Sequence, residues 1–393
     1  MRTHAQSEPS VALYVHWPFC RSKCPYCDFN SHVRERIDQT RFAAALRREL
    51  ATEAAALGRR PLRSIFFGGG TPSLMDPQTT ADLIADARAL FDAEPNLEIT
   101  LEANPTSVEA GALAAFAQAG VNRISLGVQS LDDAALRFLG REHSATQAVA
   151  ALETARRLFG RLSFDLIYAR PGQTLAAWRS ELDTALTLVS DHLSLYQLTI
   201  EPGTVFEGAA RRGLFALPDE DASAALYEQT ATVAARHGLA AYEVSNYARP
   251  GCESRHNLGY WRYQDYIGIG PGAHGRLTRA DGLHATRRHR APEPWAERVE
   301  RTGSGTTHDD LLSQQDCARE MLLMGLRLDE GIDGTHFAAR TGMALEDALD
   351  PAILRAALEE DYLAWSIAPA STRLRATPSG RLRLEALLGA LVL

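Results

Sequence analysis

Lysine is nearly absent. Lys23 is the one lysine among 393 residues, and arginine supplies the other 40 of the 41 cations. A Schiff-base enzyme needs a buried, desolvated lysine, so a single lysine argues against that chemistry. No Gly-Lys-Ser/Thr exists, which excludes a P-loop. No apolar run reaches the ~18 residues of a membrane span. Residues Met1–Ser10 are polar and lack the apolar core of a signal peptide. Positive charge is also short, with 41 cations against 49 anions and a net charge of −8. That balance argues against nucleic acid or an anionic membrane as the main partner. Cysteine is sparse but clustered: Cys20, Cys24 and Cys27 crowd one segment, and only Cys252 and Cys317 lie elsewhere. Together these features predict a cytoplasmic protein in a reducing compartment, where clustered cysteines bind metal rather than form disulfides.

What is present is an alternation. Apolar segments at Val11–Val15, Ser64–Phe67, Leu97–Glu102, Asn122–Gly127, Ser163–Tyr168 and His192–Ile200 read as strands, with amphipathic helical stretches between them. Such spacing predicts parallel βαβ units. Six units are too few for a closed eight-fold barrel and fit a partial (β/α) barrel or a doubly wound sheet. Each strand runs into a polar or Gly-rich turn: His16, Gly68–Thr71, Glu102–Pro105, Gln129, Asp165 and Glu201. In these folds the carboxyl ends of the strands form the active face, so the six turns predict one site. Residues 276–308, polar and rich in Arg and His, read as a linker. Residues 309–393 read as a small, mostly helical, winged-helix-like domain.

The cysteine loop is Cys20-x3-Cys24-x2-Cys27. Three thiolates on a short loop can hold three corners of a [4Fe-4S] cubane and leave one iron open for an exchangeable ligand. On spacing alone, a Cys3His zinc site using His16 or His32 stays open. Cys252 and Cys317 have no partner by spacing and read as structural thiols.

C-x3-C-x2-C with an aromatic before the last cysteine resembles the motif of radical S-adenosylmethionine (SAM) enzymes. Gly68-Gly-Gly-Thr-Pro72, directly after the second strand, resembles their SAM-binding turn. Tyr14-Val-His16, Leu101-Glu-Ala-Asn-Pro105, Gly127-Val-Gln129, Arg141-Glu142 and Asp165-Leu-Ile-Tyr168 are similar to the HemN-like branch, the oxygen-independent coproporphyrinogen III oxidases. The resemblance implies an α/β fold: a partial (β/α)6 radical SAM barrel over residues 1–275, with a HemN-like C-terminal domain. It also implies site roles. Tyr14 would pack beside SAM, Gly69 would contact it, and Gly70 and Thr71 would lie near a second SAM position. Glu102 would hold the ribose hydroxyls, and Gln129, Arg141 and Asp165 would make further SAM contacts.

Two departures point within the branch. The oxidase carries another cysteine two residues after the third cluster cysteine, where this chain has Phe29, and it has a longer segment before the cluster. Cys-Pro-Tyr-Cys-Asp-Phe-Asn30 and His256-Asn-Leu-Gly-Tyr-Trp261 resemble the HemW group, haem chaperones. That resemblance implies haem as a further cofactor, His256 as its ligand, and local arginines such as Arg170 or Arg255 for its propionates. It also implies an electron donor for the cluster and an acceptor haem protein, with the respiratory chain as one source. Membrane contact would come only through that acceptor. The alternative function is a coproporphyrinogen III dehydrogenase of porphyrin biosynthesis.

Overall fold

The computed structural model describes residues 10–368 and 371–392. The polar opening segment 1–9 lies outside the described residues. Six strands are parallel neighbours in chain order: β1 (Val11–Trp17), β2 (Pro61–Gly69), β3 (Asp92–Ala103), β4 (Arg123–Gln129), β5 (Arg161–Tyr168) and β6 (His192–Gln197). Crossover helices return the chain between them: α1 (Gln39–Leu57), α2 (Pro77–Leu90), α3 (Ser107–Gln118), α4 (Ala145–Leu158) and α5 (Leu175–Leu188). Each helix starts where an oxygen-bearing side chain meets a free backbone N–H of the first turn: Asp38, Asp76, Thr106, Ser144 and Thr174. Of the two folds that the alternation fits, the partial (β/α)6 barrel implied by the resemblance is what forms.

Period-two alternation sorts the strands' side chains. Val11, Leu13, Val15, Ile65, Phe67, Ile99, Leu101, Ile124, Phe164 and Leu195 join the helices in one large apolar core. The alternate set carries Tyr14, Ser64, Glu98, Glu102, Ser125, Asp165 and Ser194. The polar face is therefore the interior of the half-barrel.

Beyond the six strands the sheet continues on both sides. β7 (Ala240–Ala241) and β8 (Asn246–Ala248) pair antiparallel past β6, while β9 (Tyr266–Ile269) is parallel to β1. β10 (His274–Arg279), β11 (Gly282–Arg288) and β12 (Thr306–Leu311) extend that edge to twelve strands.

The expectation of a linker at 276–308 is thus corrected. This stretch contains most of β10, all of β11, a helix (Pro292–Thr302) and the start of β12. Its buried positions carry polar residues, which hid the strands. Arg288 is 1% exposed and ion-paired to Glu49 and Glu53 on α1. A second core gathers Cys317, Met321, Leu322, Phe337, Leu374 and Leu388 from the helices and the small antiparallel sheet at the chain's end. Among the described residues no helix is long and apolar enough to cross a membrane.

Candidate cofactor site

The carboxyl rim of the half-barrel encloses a cavity of about 390 Å³. Its wall includes Cys20, Cys24 and Cys27 from the loop after β1, Gly69, Gly70 and Thr71 from the end of β2, and Glu102, Gln129, Arg141 and Asp165. With Tyr14 and His256 set aside, the ten site residues expected from the sequence all line this cavity.

Local backbone explains the convergence. Gly70 approaches the cysteine loop so closely that a Cβ would meet the Phe19 carbonyl at 2.8 Å, while the Gly70 N–H donates to the Trp17 carbonyl. Gly69 has φ +114°, a conformation side chains rarely adopt, and its N–H donates to Glu102 Oε2 at 3.3 Å. Gln129 has φ +67° at a register shift between β4 and β5, and this bulge turns the strand end at the cavity wall.

The thiols are tied to the rim. Thr71 Oγ1 donates to Cys20 Sγ at 3.4 Å, and Arg141 Nη1 donates to Cys24 Sγ at 3.3 Å. Arg141 Nη2 also donates to the Gly127 carbonyl at 2.9 Å, while its buried Nε finds no acceptor in the protein. All three cysteines are free thiols. Burial pushes the Cys20 and Cys27 thiols up. An unused guanidinium donor beside free thiols fits a thiolate-ligated cluster with a carboxylate-bearing ligand.

Two carboxyls face the cavity. Burial, then the Asp165 charge, pushes Glu102 up to about 8; burial pushes Asp165 up to about 7. Both values are raised above those of the unfolded chain, so the folded state holds more protons across this window. Ligand-free stability therefore falls as pH rises from the ordinary carboxylate range to about 8. Denaturation midpoints across that window should show the decline, and Glu102→Gln or Asp165→Asn should flatten it.

Two expected residues lie elsewhere. Tyr14 sits below the rim, its O–H donating to His16 Nδ1 at 3.0 Å and its ring stacked on Phe66. His16 Nε2–H donates to the Asn30 carbonyl at 3.0 Å, so neither His16 nitrogen is free for zinc. His256 is 1% exposed at the start of a helix, α6 (Arg255–Trp261), packed against β2. Its ring nitrogens meet Ser64 Oγ at 2.9 Å and the Tyr260 hydroxyl at 2.8 Å, and its N–H donates to Glu98. As it stands, His256 is a satisfied core histidine, which corrects its expected place as an available haem ligand. Arg170 is buried against Glu181 and Ser130, and Arg255 is paired with Glu94. Neither is free for a propionate. Sequence reasoning missed Tyr26, Asn104, Tyr196 and Thr199 on the cavity wall. Asn104 lies inside the Glu-Ala-Asn-Pro turn, and its signal was available there.

A half-barrel whose rim joins three free thiols, a glycine turn and buried carboxyls defines a cofactor-binding α/β protein. The profile described as Radical SAM superfamily matches residues 14–185, and that described as HemN C-terminal domain matches residues 312–383. The Heme chaperone HemW of Escherichia coli (strain K12) is 38% identical over 387 residues, 97% of each chain. A Bos taurus protein, Radical S-adenosyl methionine domain-containing protein 1, mitochondrial, is 43% identical over 342 residues, 85% of this chain and 76% of the relative. The solved coproporphyrinogen III oxidase (HemN) of Escherichia coli has the same fold, with a TM-score of 0.79 at 23% identity, covering 98% of this chain and 90% of the other. The chain belongs to the HemN-like branch of the radical SAM superfamily, in the group of the HemW proteins. That family implies a [4Fe-4S] cluster and SAM.

Proposed function

We propose that this protein is a haem chaperone that takes up haem and passes it to an acceptor haem protein. The observation that carries the reading is the likeness to HemW proteins along 97% of both chains. Phe29 supports it: where the oxidase resemblance calls for a further cysteine, this chain exposes a phenyl ring, 63% accessible, on the cavity wall.

In this reading Cys20, Cys24 and Cys27 hold the cluster, which supplies an open iron for SAM and an electron when reduced by a donor. Gly69, Gly70 and Thr71 offer backbone to SAM, Arg141 Nε pairs with its carboxylate, and Glu102 accepts from the ribose hydroxyls. Gln129 and Asp165 complete the wall. SAM carries a sulfonium cation, which favours ionised Glu102 and Asp165, so SAM affinity rises with pH across the window given above. Glu102→Gln should weaken SAM binding roughly tenfold to a hundredfold by equilibrium dialysis, the worth of hydrogen bonds to a charged acceptor. The clustered thiols support a reducing compartment such as the cytoplasm.

The deciding experiment uses anaerobically reconstituted protein. Haem titration should give a Soret band and transfer to an apo-haem protein, while coproporphyrinogen III with SAM and reductant stays unconverted. Protoporphyrinogen formation at a useful rate would replace this reading with the dehydrogenase.

A further inference from the structure

Two of the three cluster-loop thiols receive a hydrogen bond from the rim, and both donors lead back to one residue. Thr71 Oγ1 donates to Cys20 Sγ at 3.4 Å, and Arg141 Nη1 donates to Cys24 Sγ at 3.3 Å. The Asn104 amide lies between those donors. Its Nδ2 donates to Thr71 Oγ1 at 3.3 Å, and its Oδ1 accepts from Arg141 Nη2 at 2.5 Å. Two chains of bonds therefore start from a single amide: Asn104 to Thr71 to Cys20, and Asn104 to Arg141 to Cys24.

The chemistry of the partners fixes which way the amide faces. Guanidinium nitrogens only donate, so Arg141 holds the Asn104 oxygen on its own side and leaves the NH2 for Thr71. The Thr71 hydroxyl accepts from that NH2 and has its own proton to give to Cys20. The backbone is held as well: the Asn104 N–H donates to Glu109 Oε2 at 2.8 Å, and Glu109 is buried on α3. Hydrogen bonds to the sulfurs of an iron–sulfur cluster favour its reduced form, which carries the extra negative charge, and so help to set its potential.

We propose that Asn104 is a positioning residue: it aims the Thr71 hydroxyl and the Arg141 guanidinium at the two thiolates and thereby raises the reduction potential of the cluster they hold. The same grip on Arg141 sets the direction of its unused Nε, the group offered to the SAM carboxylate. This rests on the reading of Cys20, Cys24 and Cys27 as cluster ligands, and it assigns part of their tuning to a residue that acts on them only through others.

The test is a redox titration of full-length, cluster-reconstituted protein without SAM, read by the EPR signal of the reduced cluster. Asn104→Ala should make the cluster harder to reduce by about tenfold in the equilibrium constant, ~59 mV for one electron. Its iron content should stay at about four. The shift should nearly vanish in a Thr71→Val, Arg141→Met background, where neither donor remains to be aimed. A merely structural Asn104 would give no such dependence on background. Asn104→Asp covers the case in which alanine disrupts the loop. It keeps the shape and the acceptor for Arg141 but draws the Thr71 hydroxyl off Cys20, so its shift should shrink once Thr71→Val is added. An unchanged potential in the variant that holds its cluster, or a full shift that persists after the donors are gone, overturns the proposal and leaves the ligand assignment standing. A parent that takes up no cluster overturns both.

Discussion

Serine in place of Cys20, Cys24 or Cys27 should abolish the iron–sulfur absorption of the reconstituted protein and reduce SAM binding by at least roughly a hundredfold, because a cubane held by three thiolates has none to spare. The same change at Cys252 or Cys317 should leave both intact. Cys317 packs in the second core, and neither residue lines the rim cavity. Iron and sulfide content, the visible spectrum and dialysis against SAM read the outcome. Retention of about four irons after loss of one of the three would remove that cysteine from the ligand set. A reconstituted parent that keeps zinc instead would remove the cluster altogether.

Glu49→Ala should cost about 3–5 kcal/mol of stability, the usual effect of stripping one partner from a buried ion pair. Glu49 is fully buried on α1. It accepts from the backbone N–H of Gly270 at 2.8 Å and of Gly305 at 2.6 Å, and from Trp295 Nε1 at 3.1 Å. It also pairs with Arg288 at 3.2 Å. Burial pushes its carboxyl up, against the pull of Arg288 and the two backbone donors. Removing it leaves three buried donors unmet at once and Glu53 as the only carboxylate paired with buried Arg288 among the described residues. Glu49→Gln keeps the acceptor oxygen and should cost less. Urea midpoints of the parent and both variants check this, and equal midpoints would show that the carboxylate is dispensable.

The same contacts explain where sequence reasoning failed. The strands of the half-barrel were legible because their outer faces are apolar and their inner faces end in marked turns. β11 was not, because its buried face holds His284, Thr286 and Arg288. Polar residues inside a fold are legible only through their partners, and Glu49 lies more than two hundred residues earlier in the chain. His256 shows the converse. A motif resemblance made it a ligand, but Ser64, Tyr260 and Glu98 engage both of its ring nitrogens and its backbone N–H.

By itself the sequence determined the class of fold, the crowding of three cysteines on one loop and the polar turns of one rim, since period, spacing and turn chemistry are local properties. The tertiary structure alone decided which polar residues are spent on one another and which are left for ligands. Arg141 Nε is left over; His256, Arg170 and Arg255 are spent. The physical reason is that a buried polar group must be paired, and its partner is chosen by folding rather than by neighbourhood in the chain.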